Sequence, residues 1–268
     1  RLKHHIEHHN VGFVRMADEN FGTDRKWLKE FCTKIAKLDL VWEVSGMRVN
    51  CVSDAQLKDM KEAGCIRCIF GMETGSRKML EVMNKGVKLE DNYTALKLIS
   101  KHRLTTTVQL VLGMPGETTS TIKETGEFLR YSVTLSPDKS PFDISMNYAQ
   151  ALPGTPLYEY ARAKNLISTS SSGEEDYMLW VSDQNAANEN FVIEGLSGQP
   201  KLRVLSWRPY LVAAAGDAFI SQFGRKQYDK FLNDETGVQL PSSRAGYFNY
   251  PKEDRSFKAF GRGANNFI

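Results

Sequence analysis

The sequence has few cysteines, no long apolar run and almost no excess of charge of one sign. Only four of the 268 residues are cysteine, so a small disulfide-bonded scaffold is excluded and free thiols in a reducing cytoplasm are expected. No apolar run approaches the roughly 20 residues of a membrane-spanning helix. A net charge of +3 is too small to indicate a nucleic-acid or membrane partner. The remaining composition is that of a globular protein able to bury a substantial core.

The first ten residues, RLKHHIEHHN, are too polar for a secretory signal and are typical of the end of a helix. Because the chain also does not begin with Met, we expect it to be a fragment of a longer protein. This segment contains i, i+4 histidine pairs that could chelate a metal on a helix, although a solvated helix end is the favoured interpretation. The histidines are His4, His5, His8 and His9.

Cys65 and Cys68 have the CxxC spacing of metal and redox sites. They open an apolar run, CIRCIF, that we interpret as a strand. Residues three positions apart on a strand point to opposite faces. We therefore predict buried free thiols here and no metal ligand.

Five apolar segments alternate with amphipathic helical segments along the first 167 residues. This alternation predicts an α/β fold with parallel strands and helices outside, as a barrel or as an open doubly wound sheet. Candidate helix starts are Asp24, Ser53 with Gln56, Thr121 with Glu124, and Thr155 before Pro156. The predicted strands are Val11–Ala17, Leu40–Ser45, Ile66–Phe70, Val108–Leu112 and Phe142–Tyr148.

Polar residues or flexible glycine turns follow nearly every predicted strand. In a barrel these strand ends converge on one mouth, whereas in an open sheet only those beside the switch point meet. Five such ends in succession favour the barrel. The candidate ligand-binding residues are Asp18, Glu19, Arg48, Glu73, Thr74, Ser76, Gly113, Glu117, Gln150 and Leu152.

Two simpler interpretations of these acids stay open. Glu117 could serve only to start a helix, since a carboxylate is favoured at a helix N-terminus. Alternatively, Asp18, Glu73 and Glu117 could hold a divalent metal through oxygen ligands in an unrelated α/β enzyme.

Beyond residue 167 the pattern changes. STSSSGEE, residues 168–175, is predicted to be a polar loop that ends the barrel, which divides the chain into domains at 1–167 and 168–268. Residues 201–231 are predicted to be largely helical and interrupted at Pro209. The tail from 237 to 268 receives no role. Apolar residues of the helical region expected to pack on the barrel are Leu202, Leu205, Tyr210, Leu211, Phe219 and Phe223.

Four motifs together resemble the radical S-adenosylmethionine (radical SAM) superfamily. Most similar is the branch whose members often carry an upstream cobalamin-binding domain. The likeness covers about Val11 to Ile167. The motifs are ADENF (17–21), LKDMKEAGCIRCIFGMETGS (57–76) followed by MLEVMNKG, LVLGMPGET (110–118) and ALPGTPLYEYARAKNLI (151–167).

The resemblance implies a partial (β/α)6 TIM-like barrel that binds S-adenosylmethionine and a [4Fe-4S] cluster at its C-terminal mouth, with cobalamin as a further cofactor of the branch. It implies reductive cleavage of S-adenosylmethionine, an electron donor such as flavodoxin or ferredoxin, and a small-molecule or biosynthetic-intermediate substrate. The same likeness assigns Asp18 and Glu19 to the methionine amino group and Arg48 to its carboxylate. It places Glu73, Thr74 and Ser76 near the ribose, Gly113–Glu117 beside adenosine, and the strand end at Gln150–Leu152 against adenine.

The sequence departs from the family at the cluster ligands, because the CxxxCxxC loop is absent. In the family this loop follows the first strand, so we expect strands two to six here and the cysteines upstream. No catalytic residue is assigned. A non-catalytic relative that keeps the barrel as a binding module is the alternative within the same fold.

Overall fold

The strands of the protein form one parallel sheet in which each strand pairs with the next along the chain. The computed structural model describes residues 1–181 and 186–236. The strand order is β1-β2-β3-β4-β5 without a switch point, which is the order of a barrel and not of a doubly wound sheet. The predicted partial TIM-like barrel is therefore confirmed. Its strands are β1 Phe13–Ala17, β2 Val41–Met47, β3 Cys65–Glu73, β4 Val108–Leu112 and β5 Ile144–Tyr148.

Helices connect the strands, and several of them begin at a side chain that accepts backbone hydrogen bonds. Asp24 accepts from two amides of its helix, and Ser53 and Thr155 each accept from one, as predicted. The helices are α1 Leu2–His9, α2 Arg25–Ile35, α3 Asp54–Glu62, α4 Arg77–Val82, α5 Leu89–Lys101, α6 Thr119–Val133, α7 Pro156–Ala163, α8 Ser171–Trp180, α9 Lys201–Phe223 and α10 Arg225–Thr236, with 3-10 turns at Ala36–Leu38, Val49–Cys51 and Glu189–Phe191.

The two faces of the sheet differ in polarity. Alternate residues such as Trp42, Phe70 and Leu110 point outward and are buried in one core with the helices. The residues between them line the inner face, where Glu43 and Arg67 are buried although they carry charge. Parallel strands in closed folds are usually apolar on both faces. A polar inner face therefore indicates a barrel interior built for more than packing.

A ladder of alternating charges crosses this inner face. Arg15, Glu43 and Arg67 occupy paired positions on β1, β2 and β3. Arg15 Nε lies 3.3 Å from Glu43 Oε1, and Arg67 Nη2 lies 2.8 Å from Asp143 Oδ1. Burial raises the pKa of Glu43 against the opposing attraction of both arginines. The ladder joins the first three strands to the residue before β5.

The prediction that Cys65 and Cys68 point to opposite faces is wrong. Their Sγ atoms lie 3.8 Å apart, and both side chains are buried in the outer core. The cause is a bulge, because the pairing advances from Trp42 to Glu43 on β2 while it advances from Cys65 to Arg67 on β3. One inserted residue reverses the alternation and turns both thiols outward.

Two local predictions about helices also need correction. The N-cap of the helix after β4 is Thr118 and not Thr121, and Thr121 instead completes the capping box. The predicted polar loop at 168–175 is helical from Ser171, since Ser170 accepts a hydrogen bond from Gly173 N. Short-range patterns located these regions but not their boundaries.

Helix α9 runs without interruption through Pro209 and ends at Gly224, which has a φ of 86°. A proline inside a helix costs about 3 kcal/mol. Burial of Trp207 and Leu211 on either side offsets this cost, since each is less than 4% exposed. Leu202 was expected to pack on the barrel but is 81% exposed.

Helix α9 packs mainly on α6, and its buried residues belong to the same core as the strands. The boundary at residue 167 between two domains stays a prediction. The tail at 237–268, to which the sequence assigns no role, lies outside the described residues. Within the described ranges, no helix is both long enough and apolar enough to cross a membrane.

Candidate functional site

All strands are parallel, so the predicted ligand-binding residues lie at one edge of the sheet, the C-terminal mouth of the partial barrel. Asp18 and Glu19 follow β1 directly and are exposed. Asp18 Oδ1 accepts a hydrogen bond from Asn20 N at 2.9 Å, which fixes the carboxylate at the turn. Both acids are thus accessible at the mouth, as expected for ligand-binding groups.

Glu73 is the last residue of β3 and takes a left-handed conformation, with a φ of 61°. This conformation is uncommon for residues other than glycine. Its carboxylate folds back over Gly71, where a Cβ would lie 2.3 Å from Glu73 Oε1. Lys85 Nζ lies 2.5 Å from the same oxygen, with the two side chains 33% and 17% exposed. The mouth therefore holds a partly accessible carboxylate and ammonium side by side.

Lys85 was not among the predicted site residues. It lies in the NKG turn between α4 and α5. This turn belongs to the MLEVMNKG segment that resembles the family, but the resemblance assigns no role to the lysine. Nothing local in the sequence pairs Lys85 with Glu73. Only the packing of the loop against the strand end brings the two together.

Arg48 and Asn50 anchor this turn from the end of β2. Arg48 Nη2 donates to Lys85 O at 3.2 Å, and Asn50 Nδ2 donates to Gly86 O at 3.3 Å. Asn84 and Gly86 both have positive φ, so the turn is tightly bent. Arg48 therefore positions Lys85, while the rest of its exposed guanidinium faces solvent at the mouth.

The Thr74-Gly75-Ser76 turn is buried and fixed to α6. Thr74 Oγ1 lies 3.0 Å from Thr125 Oγ1, and Gly75 N donates to that same hydroxyl at 3.1 Å. Ser76 Oγ is buried without a hydrogen-bond partner in the described part of the chain. The hydroxyls of Thr74 and Thr125 therefore hold the turn in place, and the position of Thr74 and Ser76 near a ribose stays a prediction.

The Gly113–Glu117 turn is held by its own carboxylate. Gly113, with a φ of 87°, donates its N–H to Glu117 Oε2 at 2.5 Å. Glu117 is 1% exposed, and burial raises its pKa to about 7 although the amides of Gly113 and Met114 favour the charged form. Its Oε1 has no hydrogen-bond partner in the residues described. Glu117 thus shapes the turn from inside and does not face the mouth.

The end of β5 is fixed by the segment that follows α8. Gln150 Nε2 donates to Phe191 O at 2.9 Å, while Gln150 Oε1 is buried without a partner in the described residues. Leu152 O accepts from Thr155 Oγ1 at 2.7 Å. Arg208 of α9 donates to Met146 O at 2.8 Å and stacks over the Tyr148 ring. Helix α9 therefore helps to set the position of this strand end.

The three acids proposed as metal ligands do not converge. Glu73 is paired with Lys85, and Glu117 is buried against backbone amides. Among the residues that the structure describes, no group of three or more His, Cys, Asp or Glu side chains is placed to hold a metal ion. The geometry gives no support to the metal-dependent alternative.

The cysteines of this chain do not fit a [4Fe-4S] cluster. Cys32, Cys65 and Cys68 are buried in the outer core, away from the mouth. Burial raises the pKa of Cys32 to about 12 and that of Cys65 well above its ordinary value, which opposes the thiolate that iron requires. Cys51 lies alone in the 3-10 turn after β2.

Comparison with known proteins shows which family this chain resembles. Residues 3–129 match the family model of the radical SAM superfamily. An uncharacterized methyltransferase of Pyrococcus horikoshii is 32% identical over 168 residues, which are 61% of this chain and 35% of that protein. The anaerobic magnesium-protoporphyrin IX monomethyl ester cyclase of Rubrivivax gelatinosus is 30% identical over 128 residues, 47% of this chain and 23% of that protein. The chain thus spans about a third or less of these relatives.

The fold is similar to that of a solved methyltransferase. The radical S-adenosylmethionine methyltransferase TsrM from Kitasatospora setae, with cobalamin and a [4Fe-4S] cluster bound, superposes with a TM-score of 0.51 at 17% identity. The superposition covers 62% of this chain and 31% of TsrM. At this level of sequence identity, the similarity shows a shared fold alone.

Proposed function

Since residues 3–129 match the family model of the radical SAM superfamily, we propose that this chain is most of the catalytic core of a radical SAM enzyme and that it binds S-adenosylmethionine at the C-terminal mouth. The observation that carries this proposal is the Glu73–Lys85 pair, a carboxylate and an ammonium held side by side at that mouth. The amino-acid end of S-adenosylmethionine also carries one ammonium and one carboxylate. A matched pair of opposite charges is complementary to such an end.

Different residues around the mouth are suited to different parts of S-adenosylmethionine. Lys85, with Arg48 beside it, suits the methionine carboxylate, because both present cationic N–H donors. Asp18 and Glu19 suit the ammonium group. The turn that begins at Gly113 leaves room for the nucleoside, since glycine presents no side chain there.

Bound at this mouth and reduced, S-adenosylmethionine would supply the radical chemistry of hydrogen abstraction or methyl transfer. The protein's part in such chemistry is to bind, orient and shield the cofactor. Glu117 and Thr125 serve this part indirectly, because they fix two of the turns at the mouth. Because the cysteines of this chain do not fit the cluster, we derive no step through it and place its ligands in another part of the full-length protein.

The relatives support methyl transfer as the reaction class. One is described as a methyltransferase, and the fold neighbour TsrM is a methyltransferase with cobalamin bound. We therefore propose that the full-length protein uses cobalamin, takes electrons from a flavodoxin or ferredoxin, and acts on a small molecule in the polar interior of the barrel.

Anaerobic reconstitution of the full-length protein with iron and sulfide tests the proposal. We expect iron-dependent visible absorbance and release of deoxyadenosine from S-adenosylmethionine in the presence of a reductant. A full-length sequence without a cysteine triplet, or a reconstituted protein that neither binds iron nor cleaves S-adenosylmethionine, would instead establish the non-catalytic binding module.

Binding measured separately tests the site. Lys85→Met in the full-length protein should weaken S-adenosylmethionine binding by about tenfold, the effect of one lost charged hydrogen bond. Lys34→Met is the matched control, because Lys34 also lies 2.5 Å from a glutamate, Glu30, but on an exposed helix face. If the two variants bind S-adenosylmethionine with equal affinity, the Glu73–Lys85 pair is not part of the binding site.

A further inference from the structure

A second concave site lies at the opposite end of the sheet from the mouth. It is a pocket of about 490 Å³ between the C-terminal end of α5 and the loop from α6 to β5. The lining segments immediately precede β4 and β5, so the pocket opens at the N-terminal edge of the sheet. Leu96, Leu104 and Leu135 form the apolar part of its lining, and Ser100, Thr105 and Ser136 add polar groups. Its volume is in the range of sites that hold small organic ligands.

Two cationic side chains, Arg103 and Lys139, line the same pocket. In the part of the chain that the structure describes, neither side chain makes a hydrogen bond or a salt bridge within 4.0 Å. The carboxylate that attracts Lys139, Asp143, is already bonded to Arg67 at 2.8 Å. The exposed Asp138 also lines the pocket. Two cations and one carboxylate leave the lining with one excess positive charge.

A structural explanation accounts for only part of this arrangement. Arg103 follows the end of α5, where a cation is favoured by the helix dipole. Lys101 occupies the same helix end, and there its charge is matched by Asp54 at 2.7 Å. Lys139 lies six residues after the end of α6, beyond the reach of that dipole. Burial lowers the pKa of Lys139 to about 8, so at neutral pH most of the amine still carries charge.

We propose that this pocket binds a small organic monoanion, with its carboxylate between Lys139 and Arg103 and its apolar body against Leu96, Leu104 and Leu135. The charge of such a ligand matches the single excess positive charge of the lining. The leucine side chains favour a ligand with a hydrophobic body over inorganic phosphate, because placing phosphate oxygens against apolar side chains costs free energy. This site is separate from the S-adenosylmethionine site and does not depend on it.

Isothermal titration of this chain with naphthoate tests the proposal, with the neutral isostere naphthalenemethanol as the reference ligand. We expect saturable naphthoate binding at one site and binding of the alcohol that is about tenfold weaker. Lys139→Met should weaken naphthoate binding by about tenfold, while Lys139→Arg, which keeps the charge, should retain it. Lys101→Met is the control for a lysine at the same end of the molecule but outside the pocket.

Thermal unfolding of each variant shows whether it is folded. If Lys139→Met does not fold, Arg103→Met, at an exposed position, replaces it and should likewise weaken naphthoate binding. Three results would overturn the proposal. They are no saturable naphthoate binding to the parent chain, undiminished binding in the pocket variants, or an equal loss of binding in Lys101→Met.

Discussion

Lys85 Nζ lies 2.5 Å from Glu73 Oε1 and so ties the turn after α4 to the end of β3. Arg48 holds the backbone of that turn from the end of β2. Two neighbouring strand ends are thereby joined through one lysine, whose backbone and side chain are fixed by different partners. This relationship makes the mouth a defined site instead of a row of independent side chains.

Two glycines near this pair should affect different properties when changed to alanine, Gly71 ligand binding and Gly75 stability. At Gly71 a Cβ would lie 2.3 Å from Glu73 Oε1, a flexible side-chain end, so the ion pair must move. Gly71→Ala should weaken S-adenosylmethionine binding to the full-length protein by about tenfold and cost less than about 1 kcal/mol of unfolding free energy.

At Gly75 the corresponding Cβ would lie 2.7 Å from Thr125 Cα and 2.4 Å from Phe128 Cβ. Both atoms belong to the rigid part of α6 and cannot move aside for the added methyl group. Gly75→Ala should therefore cost about 3 kcal/mol of unfolding free energy. Urea unfolding and equilibrium dialysis measure the two effects. A Gly71→Ala variant that loses stability but binds normally would contradict the placement of the pair at the ligand site.

The Thr125 hydroxyl should stabilise the protein through the turn at Gly75. It accepts from Gly75 N at 3.1 Å and donates to Thr121 O at 3.1 Å, and all three groups are sheltered from water. Thr125→Val leaves a buried N–H without its partner, so a loss of about 1–3 kcal/mol is expected in urea unfolding.

Thr33→Val is the matched control for this change. The Thr33 hydroxyl also donates to a carbonyl four residues earlier, at 2.9 Å, but on an exposed helix face. It should change the unfolding free energy by less than about 0.5 kcal/mol. Similar losses in both variants would mean that the bond to Gly75 contributes nothing of its own.

Glu117 should make stability depend on pH. Burial raises its pKa from an ordinary 4.5 to about 7 in the folded protein. Below pH 4.5 the carboxyl is protonated in both states, and its contribution to stability is fully present. As the pH rises towards 7 the unfolded state loses its proton first, so the folded state loses relative stability, on the order of 3 kcal/mol in total.

Urea unfolding at several pH values, with Glu117→Gln beside the parent chain, measures this contribution. The glutamine variant should gain stability relative to the parent between pH 5 and about 7.5. Glu124→Gln, at an exposed position of the same helix, reports the general effect of removing one carboxyl. A constant difference between parent and Glu117→Gln across this range would show that Glu117 is charged throughout.

The cysteines should differ sharply in reactivity. Cys51 is half-buried, whereas Cys32, Cys65 and Cys68 are buried in the core. Burial also raises the pKa of Cys32 and Cys65, so little reactive thiolate is present. Anaerobic labelling with iodoacetamide, followed by mass spectrometry, should modify Cys51 first. Labelling in urea should modify all four, and labelling of Cys65 as fast as Cys51 in the folded protein is the contrary outcome.

Much of the fold could be predicted from local patterns. Strand and helix segments alternate with clear apolar periodicity, and capping residues such as Asp24 and Thr155 mark helix starts because their side chains bond to amides two or three residues away. Polar strand ends such as Asp18 and Glu73 could likewise be placed at one edge, since parallel strands share their direction. These features depend on interactions between residues that are close together in the sequence.

Other features depend on which segments meet. A bulge opposite Trp42 brought Cys65 and Cys68 to one face, and Pro209 remained inside a helix because its neighbours are buried in the core. Lys85 joined Glu73 only when the turn after α4 packed against β3. The amino-acid sequence by itself determined the elements, their order and the radical SAM resemblance. Tertiary structure decided which predicted site residues face the mouth and which, like Glu117 and Thr74, are buried in its walls, because burial and pairing arise between residues distant along the chain.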